Sequence, residues 1–155
     1  DDNNNPIMDD YENEIIATFD ADGVHVGDAA QTQKGISLRY EPNKSSYIKL
    51  RGTNFKRYYS DFDPLSLSGD NAGRESWEIP AYNLIDLHCG YKFKLSDKNK
   101  LDIRLSVLNL LDAIYISDAQ NNDPYNAIYQ DFDAKSAGVF FGLGRRFNIS
   151  AKINF

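Results

Sequence analysis

The stretch RRFNISAKINF, residues 145–155, alternates apolar and polar residues to its last position. Its apolar positions are Phe147, Ile149, Ala151, Ile153 and Phe155. A period of two predicts a β-strand with one apolar and one polar face. Because the ends of soluble domains are usually polar and loosely held, this stretch predicts a strand that is paired on both sides and closes a structure.

The composition narrows the class of protein. The 155 residues carry a net charge of −6, with 13% aromatic residues and a single cysteine, Cys89. An acidic chain with dispersed Lys and Arg argues against nucleic-acid binding, and one cysteine excludes an internal disulfide. The sequence contains no run of about 18 apolar residues, so no transmembrane helix is predicted. The strands of a membrane β-barrel show only a weak alternation of apolar and polar residues, so a membrane β-barrel is not excluded.

The same alternation recurs at 34–40, 46–52, 82–95 and 101–111, and it predicts about five strands. Short turns at 41–46 and 96–100 alternate with long loops at 60–79 and 112–137. This order is typical of an up-and-down antiparallel sheet, with short turns on one edge and long loops on the other. We expect Leu95 to face Leu101 across the second short turn, which also places Lys94 beside Asp102.

The apolar face fits either a soluble core or lipid. The strands are longer than the usual five to six residues and reach the length of about 9–11 that spans a bilayer. We therefore expect one face to contact lipid and the other, which is too charged for a dry core, to face inward. The residues expected to face lipid are Ile85, Leu87, Leu105, Val107, Ile149 and Ile153. Those expected to face inward are Asp86, His88, Arg104 and Lys152. At the edge with the short turns we expect an interfacial girdle of aromatic residues, which comprises Tyr40, Tyr91, Phe93 and Phe155.

Residues 1–30 are acidic and rich in turn residues. DDNNNPIMDD, residues 1–10, is typical of the interior of a loop, so we expect the natural polypeptide to begin earlier. EIIATF and VHVGDAAQTQ, on either side of the turn DADG at 20–23, predict a hairpin. We interpret 1–30 as a loop or hairpin, and 31–155 as about five strands that belong either to a larger barrel or to a soluble β-domain.

Three motifs resemble the end of TonB-dependent receptors, the plugged barrels of the Gram-negative outer membrane. IPAYNLIDLHCGYKF (79–93) resembles a late descending strand of that family, and VHVGDAAQTQKGISLRYEP (24–42) is also similar to it. LDIRLSVLNLLDAIYISDA (101–119) resembles a strand followed by N-L-x-D-x-x-Y, here Asn109, Leu110, Asp112 and Tyr115. VFFGLGRRFNISAKINF (139–155) resembles the closing G-x-x-R-x-F and final strand, with Gly142, Arg145 and Phe147 through Phe155.

The resemblance implies a transmembrane antiparallel up-and-down barrel of about 22 strands, of which residues 31–155 are the last five or so. Residues 1–30 are then an extracellular loop or hairpin, the loops 60–79 and 112–137 are extracellular, and the plug domain lies outside this sequence. It implies import of a scarce solute across the outer membrane, without covalent chemistry or a cofactor. The implied partners are the TonB energy-coupling complex through the missing N-terminal region, the outer-membrane assembly machinery, the lipid bilayer and a surface lipoprotein. The assembly signal implied for the last strand comprises Phe147, Ile149, Ile153 and Phe155, with Phe155 at the periplasmic rim.

Candidate contact residues lie in the long loops, because loops on a rigid scaffold commonly carry binding. They are Asp61, Asp63, Asp70, Asn71, Arg74, Tyr115, Tyr125 and Tyr129. Asp118 and Asp123 are weak candidates for calcium ligands, although acidic loops are more often simply solvated. His88 and His25 are more simply explained as a solvated wall residue and a loop residue. No Ser-His-Asp arrangement supports an enzyme.

Two other functions stay open at the level of sequence. One is a soluble β-barrel or sandwich that acts as a binding module. The other is an outer-membrane barrel that does not transport and serves as a scaffold in an envelope complex. A transporting and a scaffolding barrel would share the same wall, so the strand pattern does not separate them, and it does not identify a solute.

Overall fold

The chain folds as antiparallel β-structure. The computed structural model describes residues 18–121 and 133–154. Within them two short 3-10 helices, Pro64–Ser66 and Gly69–Asn71, accompany the strands, and no helix is long and apolar enough to cross a membrane. The strands are β1 (Thr32–Asn43), β2 (Ser46–Lys56), β3 (Tyr58–Tyr59), β4 (Glu78–Ile79), β5 (Tyr82–Lys94), β6 (Lys100–Leu108), β7 (Ile116–Asn121), β8 (Ala137–Phe141) and β9 (Arg146–Asn154).

The described residues form two compact units. The first unit, residues 29–58, 79–118 and 139–154, contains the main sheet. The second comprises 18–28, 59–78, 119–121 and 133–138. Backbone hydrogen bonds hold the second unit together, from Asp20 N to the Leu67 oxygen (3.0 Å) and from Gly73 N to the Asp20 oxygen (2.9 Å). Its small core includes Leu67 and Ala119, which are fully buried.

Five long strands form one sheet in the order β1-β2-β5-β6-β9, and every neighbouring pair is antiparallel. The prediction of strands near 82–95, 101–111 and 144–155, in that order in one sheet, is confirmed. The sheet is open among the described strands, with β1 and β9 at its two edges. Each edge strand therefore presents a row of backbone groups that no described strand pairs.

The predicted register of the β5–β6 hairpin is wrong by two residues. Phe93, rather than Leu95, lies opposite Leu101, and Lys92, rather than Lys94, lies opposite Asp102. Leu95 N instead donates to the Asn99 oxygen at 3.0 Å and closes the turn. A shift of two preserves the face of every side chain, because the pleat repeats every two residues. The alternation of the sequence could therefore not distinguish the two registers.

The register places apolar residues on a single face of all five strands. One row crosses the sheet through Leu38, Leu50, Leu87, Val107 and Phe147, and the next row includes Tyr40, Ile48, Cys89, Leu105 and Ile149. Much of this face is exposed in the described chain: Leu38 is 67% exposed and Ile149 is 74% exposed. Val107 is an exception at 5% exposure. The sheet thus presents a broad apolar surface, which is most exposed on the edge strands β1 and β9.

Several predicted boundaries are wrong. The turn predicted at 41–46 reduces to Lys44 and Ser45, with an irregularity in pairing between Tyr40 and Asn43. The strand predicted at 101–111 ends at Leu108. The loop predicted at 112–137 contains β7 and the start of β8, which pair as a two-stranded ribbon. The last long strand begins at Arg146, and residues 142–145 separate it from β8.

The predicted N-terminal hairpin is also wrong in its described part. Residues 18–31 contain no strand, although Val24 N donates to the Ala21 oxygen across the predicted turn. Asp28 has a positive φ of 68°, which interrupts an extended strand. A Cβ at Gly27 would lie 2.8 Å from Asp61 N, so this backbone approach requires glycine. Residues 14–17 of the predicted first strand lie outside the described residues.

The strand directions fix the edge at which β9 ends. Asn154 lies opposite Lys100, the first residue of β6, and Ser46 lies opposite Tyr91. The end of β9 therefore lies at the same edge as the turns 44–45 and 95–99, which we call the short-turn edge. Phe155, predicted at this edge, lies outside the described residues.

Candidate functional site

Charge is unevenly distributed between the main sheet and the rest of the chain. The five long strands carry 11 Lys and Arg residues but only three Asp and Glu residues. The remainder of the sequence carries six Lys and Arg residues and 20 Asp and Glu residues. An acidic protein thus contains a strongly basic sheet, and this contrast is hidden in the net charge of −6.

Most of these cations share the face opposite the apolar surface, which we call the polar face. Its register rows include Lys92, Asp102 and Lys152 in one row, and Arg39, Lys49, His88, Ser106 and Asn148 in another. The polar face carries two carboxylates fixed by this register, Asp86 and Asp102. Its basic residues are Arg39, Lys49, Arg51, Lys92, Lys94, Lys100, Arg104, Arg146 and Lys152.

A recess lies in the polar face near the short-turn edge, and Gly90 is among its lining residues. Tyr47 lies directly opposite Gly90 in the ladder, and its ring lies against the glycine so closely that a Cβ at position 90 would clash with it. Arg104 lies opposite Gly90 on the other side. The recess has a volume of about 340 Å³, and its charged lining residues are Arg39, Glu41, Lys44, Lys92, Asp102 and Arg104. We call it the basic recess.

Two arginines of the basic recess are held in place by their neighbours. Arg39 Nε lies 2.6 Å from Glu41 Oε1, and its guanidinium carbon lies 4.0 Å from the centre of the Tyr47 ring. Arg104 donates to both carboxylate oxygens of Asp102, at 3.2 Å from Nε and 2.7 Å from Nη2. Asp102 is buried. Planar guanidinium groups fixed in this way are suited to oxyanions, which they bind through paired N–H donors.

The inward set predicted from the sequence lies on the polar face, as expected. His88 Nδ1 lies 2.9 Å from Ser106 Oγ on the neighbouring strand, and Asp86 accepts a hydrogen bond from Asn109 N at 3.0 Å. The predicted outward set lies on the apolar face. Phe147, Ile149 and Ile153 of the predicted assembly signal are all exposed on β9.

The predicted loop contacts divide between the two units. In the second unit, Asn71 Oδ1 accepts a hydrogen bond from Arg74 Nη1 at 2.6 Å, so these two candidates lie together. Asp61 is exposed, and its backbone N–H donates to the Ala119 oxygen. Asp63 accepts hydrogen bonds from Ser66 through its backbone oxygen, and Asp70 is exposed in the second 3-10 helix. Tyr125, Tyr129 and Asp123 lie outside the described residues.

Tyr115 belongs to the main sheet unit. Its ring stacks on Tyr82, with centroids 4.5 Å apart, and Tyr82 stacks in turn on Phe55. The ring also lies against Gly142, where a Cβ would clash with it, and Gly142 N donates to the Tyr115 oxygen at 2.8 Å. These contacts assign Tyr115 a packing role beside the binding role predicted for it.

The motif residues around Tyr115 form one structural junction, which we define as residues 109–115 and 142–145. Asn109 and Asp112 both adopt the left-handed conformation, with φ of 51° and 55°. The Asn109 amide donates to the oxygens of Ala113 (2.9 Å) and Leu143 (3.3 Å) and accepts from Ala113 N. Asp112 Oδ1 accepts from Arg145 N at 2.8 Å. The junction therefore ties the end of β6 to the start of β9.

No metal site is apparent among the described residues, where no group of three His, Cys, Asp or Glu side chains is placed to hold an ion. Asp118, a candidate calcium ligand, lies 3.5 Å through Oδ1 from the Tyr58 hydroxyl. Cys89 lies on the apolar face and is half-buried.

A second polar cluster lies in the smaller unit, where His25 and Glu75 form a pair that the sequence did not predict. Glu75 accepts from the His25 backbone N–H at 2.9 Å and lies 2.6 Å from His25 Nδ1, while the His25 ring stacks on Tyr59 at 4.2 Å. Desolvation would raise the pKa of Glu75, but hydrogen bonds from His25 and Ser76 and the attraction of His25 outweigh it. The pKa of Glu75 therefore lies below its ordinary value.

This pair predicts local opening in acid. The pKa of Glu75 is lowered in the folded state, so ionised Glu75 stabilises that state. This stabilisation is complete above the ordinary carboxyl pKa and is lost as the pH falls through the lowered value. We expect the His25 amide to lose protection from hydrogen exchange over that acid range. Glu75→Gln should remove this pH dependence, and Asp70→Asn should preserve it. An unchanged acid dependence in Glu75→Gln would assign the opening to another group.

The alternation of the sequence does not indicate the basic recess, because its lining residues come from four strands and the turn 44–45. The available signal was Gly90, which interrupts a row of long polar side chains, together with Arg39 and Arg104. Their proximity depends on the register across β1, β2, β5 and β6, which alternation alone does not supply.

The fold and this site were compared with known proteins. No protein-family model, no curated protein and no solved structure matches the chain.

Proposed function

We propose that the main sheet is part of the wall of an outer-membrane β-barrel, and that the protein is a TonB-dependent receptor that imports a scarce solute. The observation that carries the proposal is the exposed apolar face that continues across all five strands. Soluble proteins rarely expose apolar patches larger than a few hundred Å². A lipid bilayer covers such a face without requiring a protein partner of matching shape.

The polar face supports the same assignment. A soluble protein that buried both faces of this sheet would remove nine basic side chains from water. This is unfavourable because an unpaired buried charge costs a large amount of free energy. A water-filled or plugged lumen leaves these groups hydrated or paired. The alternation of lipid-facing apolar and lumen-facing polar residues is the pattern of outer-membrane barrel strands.

The open edges support a barrel larger than the described sheet. Strands β1 and β9 are both unpaired on their outer sides among the described residues. Long unpaired edges favour aggregation, and closure into a barrel removes them. In a receptor of the proposed class the remaining strands of a barrel of about 22 would pair with these edges.

The junction supports the particular class. Asn109, Asp112 and Tyr115 come from one motif that resembles this family, and Gly142 and Arg145 come from another. The two motifs contact each other directly in the junction, so they act as one structural element. In the proposed function this element orients the last strand for recognition by the outer-membrane assembly machinery, and TonB with its inner-membrane partners supplies the energy for import.

The proposal is tested in the source bacterium with the intact polypeptide. We expect the protein to fractionate with the outer membrane and wild-type cells to deplete at least one solute that a deletion strain leaves in the medium. A tonB deletion should leave the same solute behind. Recovery in the soluble fraction would contradict the barrel. Outer-membrane location without any solute that depends on both genes would contradict transport and favour the scaffold function.

A further inference from the structure

The basic recess has the properties of a binding site for a small oxyanion. Gly90 is one of its lining residues, and its volume of about 340 Å³ lies within the range of small-molecule sites. The Tyr47 ring lies over Gly90, in the space that a side chain at this position would occupy, and Arg104 is the neighbour of Gly90 on the other strand. A ligand group would lie between side chains that the strands already hold apart.

The charges around the recess favour an anion. Arg39, Lys44, Lys92 and Arg104 line the recess, with Glu41 and Asp102 as the only carboxylates among its lining residues. Glu41 contacts Arg39 and Asp102 contacts Arg104, and each contact uses only part of the five N–H donors of a guanidinium group. The remaining donors and the two lysines leave a net positive recess.

The arginines are also preorganised, which lowers the entropic cost of binding. Arg39 is fixed by Glu41 and by the face of Tyr47, and Arg104 is fixed by the buried Asp102. We infer that the basic recess binds a small organic or inorganic anion through carboxylate or phosphate oxygens. This inference rests on the recess itself and does not require that the protein transports a solute.

The experiment measures binding of inorganic pyrophosphate and of citrate to the intact polypeptide in a maltoside detergent, by isothermal titration calorimetry. We expect saturable binding of at least one of these probes. Arg39→Gln should weaken it about tenfold or more, since hydrogen bonds to charged groups are among the strongest in proteins. Gly90→Ala should weaken it without any change in charge, because the new methyl group would displace the Tyr47 ring, which lines the recess and on whose face Arg39 lies.

Lys98→Gln is the matched control. Lys98 lies in the turn 95–99 at the same edge and does not line the recess. Its replacement by Gln removes one positive charge, as Arg39→Gln does. A similar loss in Lys98→Gln and Arg39→Gln would show general electrostatic attraction and overturn the site. Absence of saturable binding, or binding unaffected by both Arg39→Gln and Gly90→Ala, would also overturn it.

A parallel arm identifies the source of the anion. The protein is placed in nanodiscs of phosphatidylcholine alone, or of phosphatidylcholine with phosphatidylglycerol, and titrated again. Unchanged pyrophosphate or citrate binding in both supports a free solute. Weaker binding of the probe in the phosphatidylglycerol discs than in the phosphatidylcholine discs supports a lipid headgroup in the same recess.

Discussion

Leu105→Arg is expected to lower the free energy of unfolding of the intact, lipid-embedded protein by about 2–4 kcal/mol. Leu105 lies between Cys89 and Ile149 in the middle of the apolar face. If this face contacts lipid, the guanidinium group must enter hydrocarbon or distort the bilayer to reach water. Unfolding in urea from lipid vesicles measures the loss.

The next residue provides the matched control for Leu105. Ser106 lies on the polar face of the same strand, between His88 and Asn148. Ser106→Arg therefore introduces the same side chain at the same height but toward the opposite face, and we expect a change of less than about 1 kcal/mol. Equal effects of the two substitutions would show that both faces meet the same environment and would contradict a lipid-facing surface.

Asn109→Ala is expected to destabilise the protein by about 3 kcal/mol, independently of any membrane. Asn109 is only 2% exposed, and its side chain makes hydrogen bonds to Ala113 and Leu143. Loss of the amide leaves buried backbone groups without partners, and alanine tolerates the positive φ at this position less well than asparagine. Equilibrium unfolding in urea measures the change.

Asn148→Ala is the control for Asn109. Asn148 is exposed on the polar face of β9, and we expect its replacement to change the free energy of unfolding by less than about 0.5 kcal/mol. Asn109→Gly separates the two causes, since glycine keeps the left-handed conformation and loses only the hydrogen bonds. Wild-type stability of Asn109→Ala would show that the junction does not hold β6 to β9.

The sequence predicted those features of the fold that follow from the alternation of apolar and polar residues along each strand. The faces of β5, β6 and β9 follow directly from residues such as Leu87, Leu105 and Ile149, because adjacent strand residues point to opposite sides. The register of the β5–β6 hairpin was missed, since a slip of two residues keeps every face. The hydrogen bond from Leu95 N to Asn99 closes that turn, and this detail of turn geometry was not predicted.

The candidate site was predicted only in part, for a different physical reason. His88 and Arg104 were correctly assigned to the polar face by their parity along the strand. The basic recess depends on residues that are far apart in sequence but adjacent in the sheet, such as Tyr47 and Gly90. The odd or even position of a residue along its strand gives its face but does not predict its neighbour on the next strand. The contact between Glu75 and His25 likewise joins loop residues 50 positions apart, where no periodic pattern exists.

Spin labelling along β9 measures whether the apolar face of the main sheet contacts lipid. Single cysteines are introduced from Phe147 to Ile153 in a Cys89→Ser background and labelled in isolated outer membranes. We expect labels at 147, 149, 151 and 153 to collide mainly with oxygen, which concentrates in lipid, and labels at 148, 150 and 152 not to do so. Equal access of a water-soluble nickel reagent to both sets, or the opposite alternation, would contradict contact with lipid.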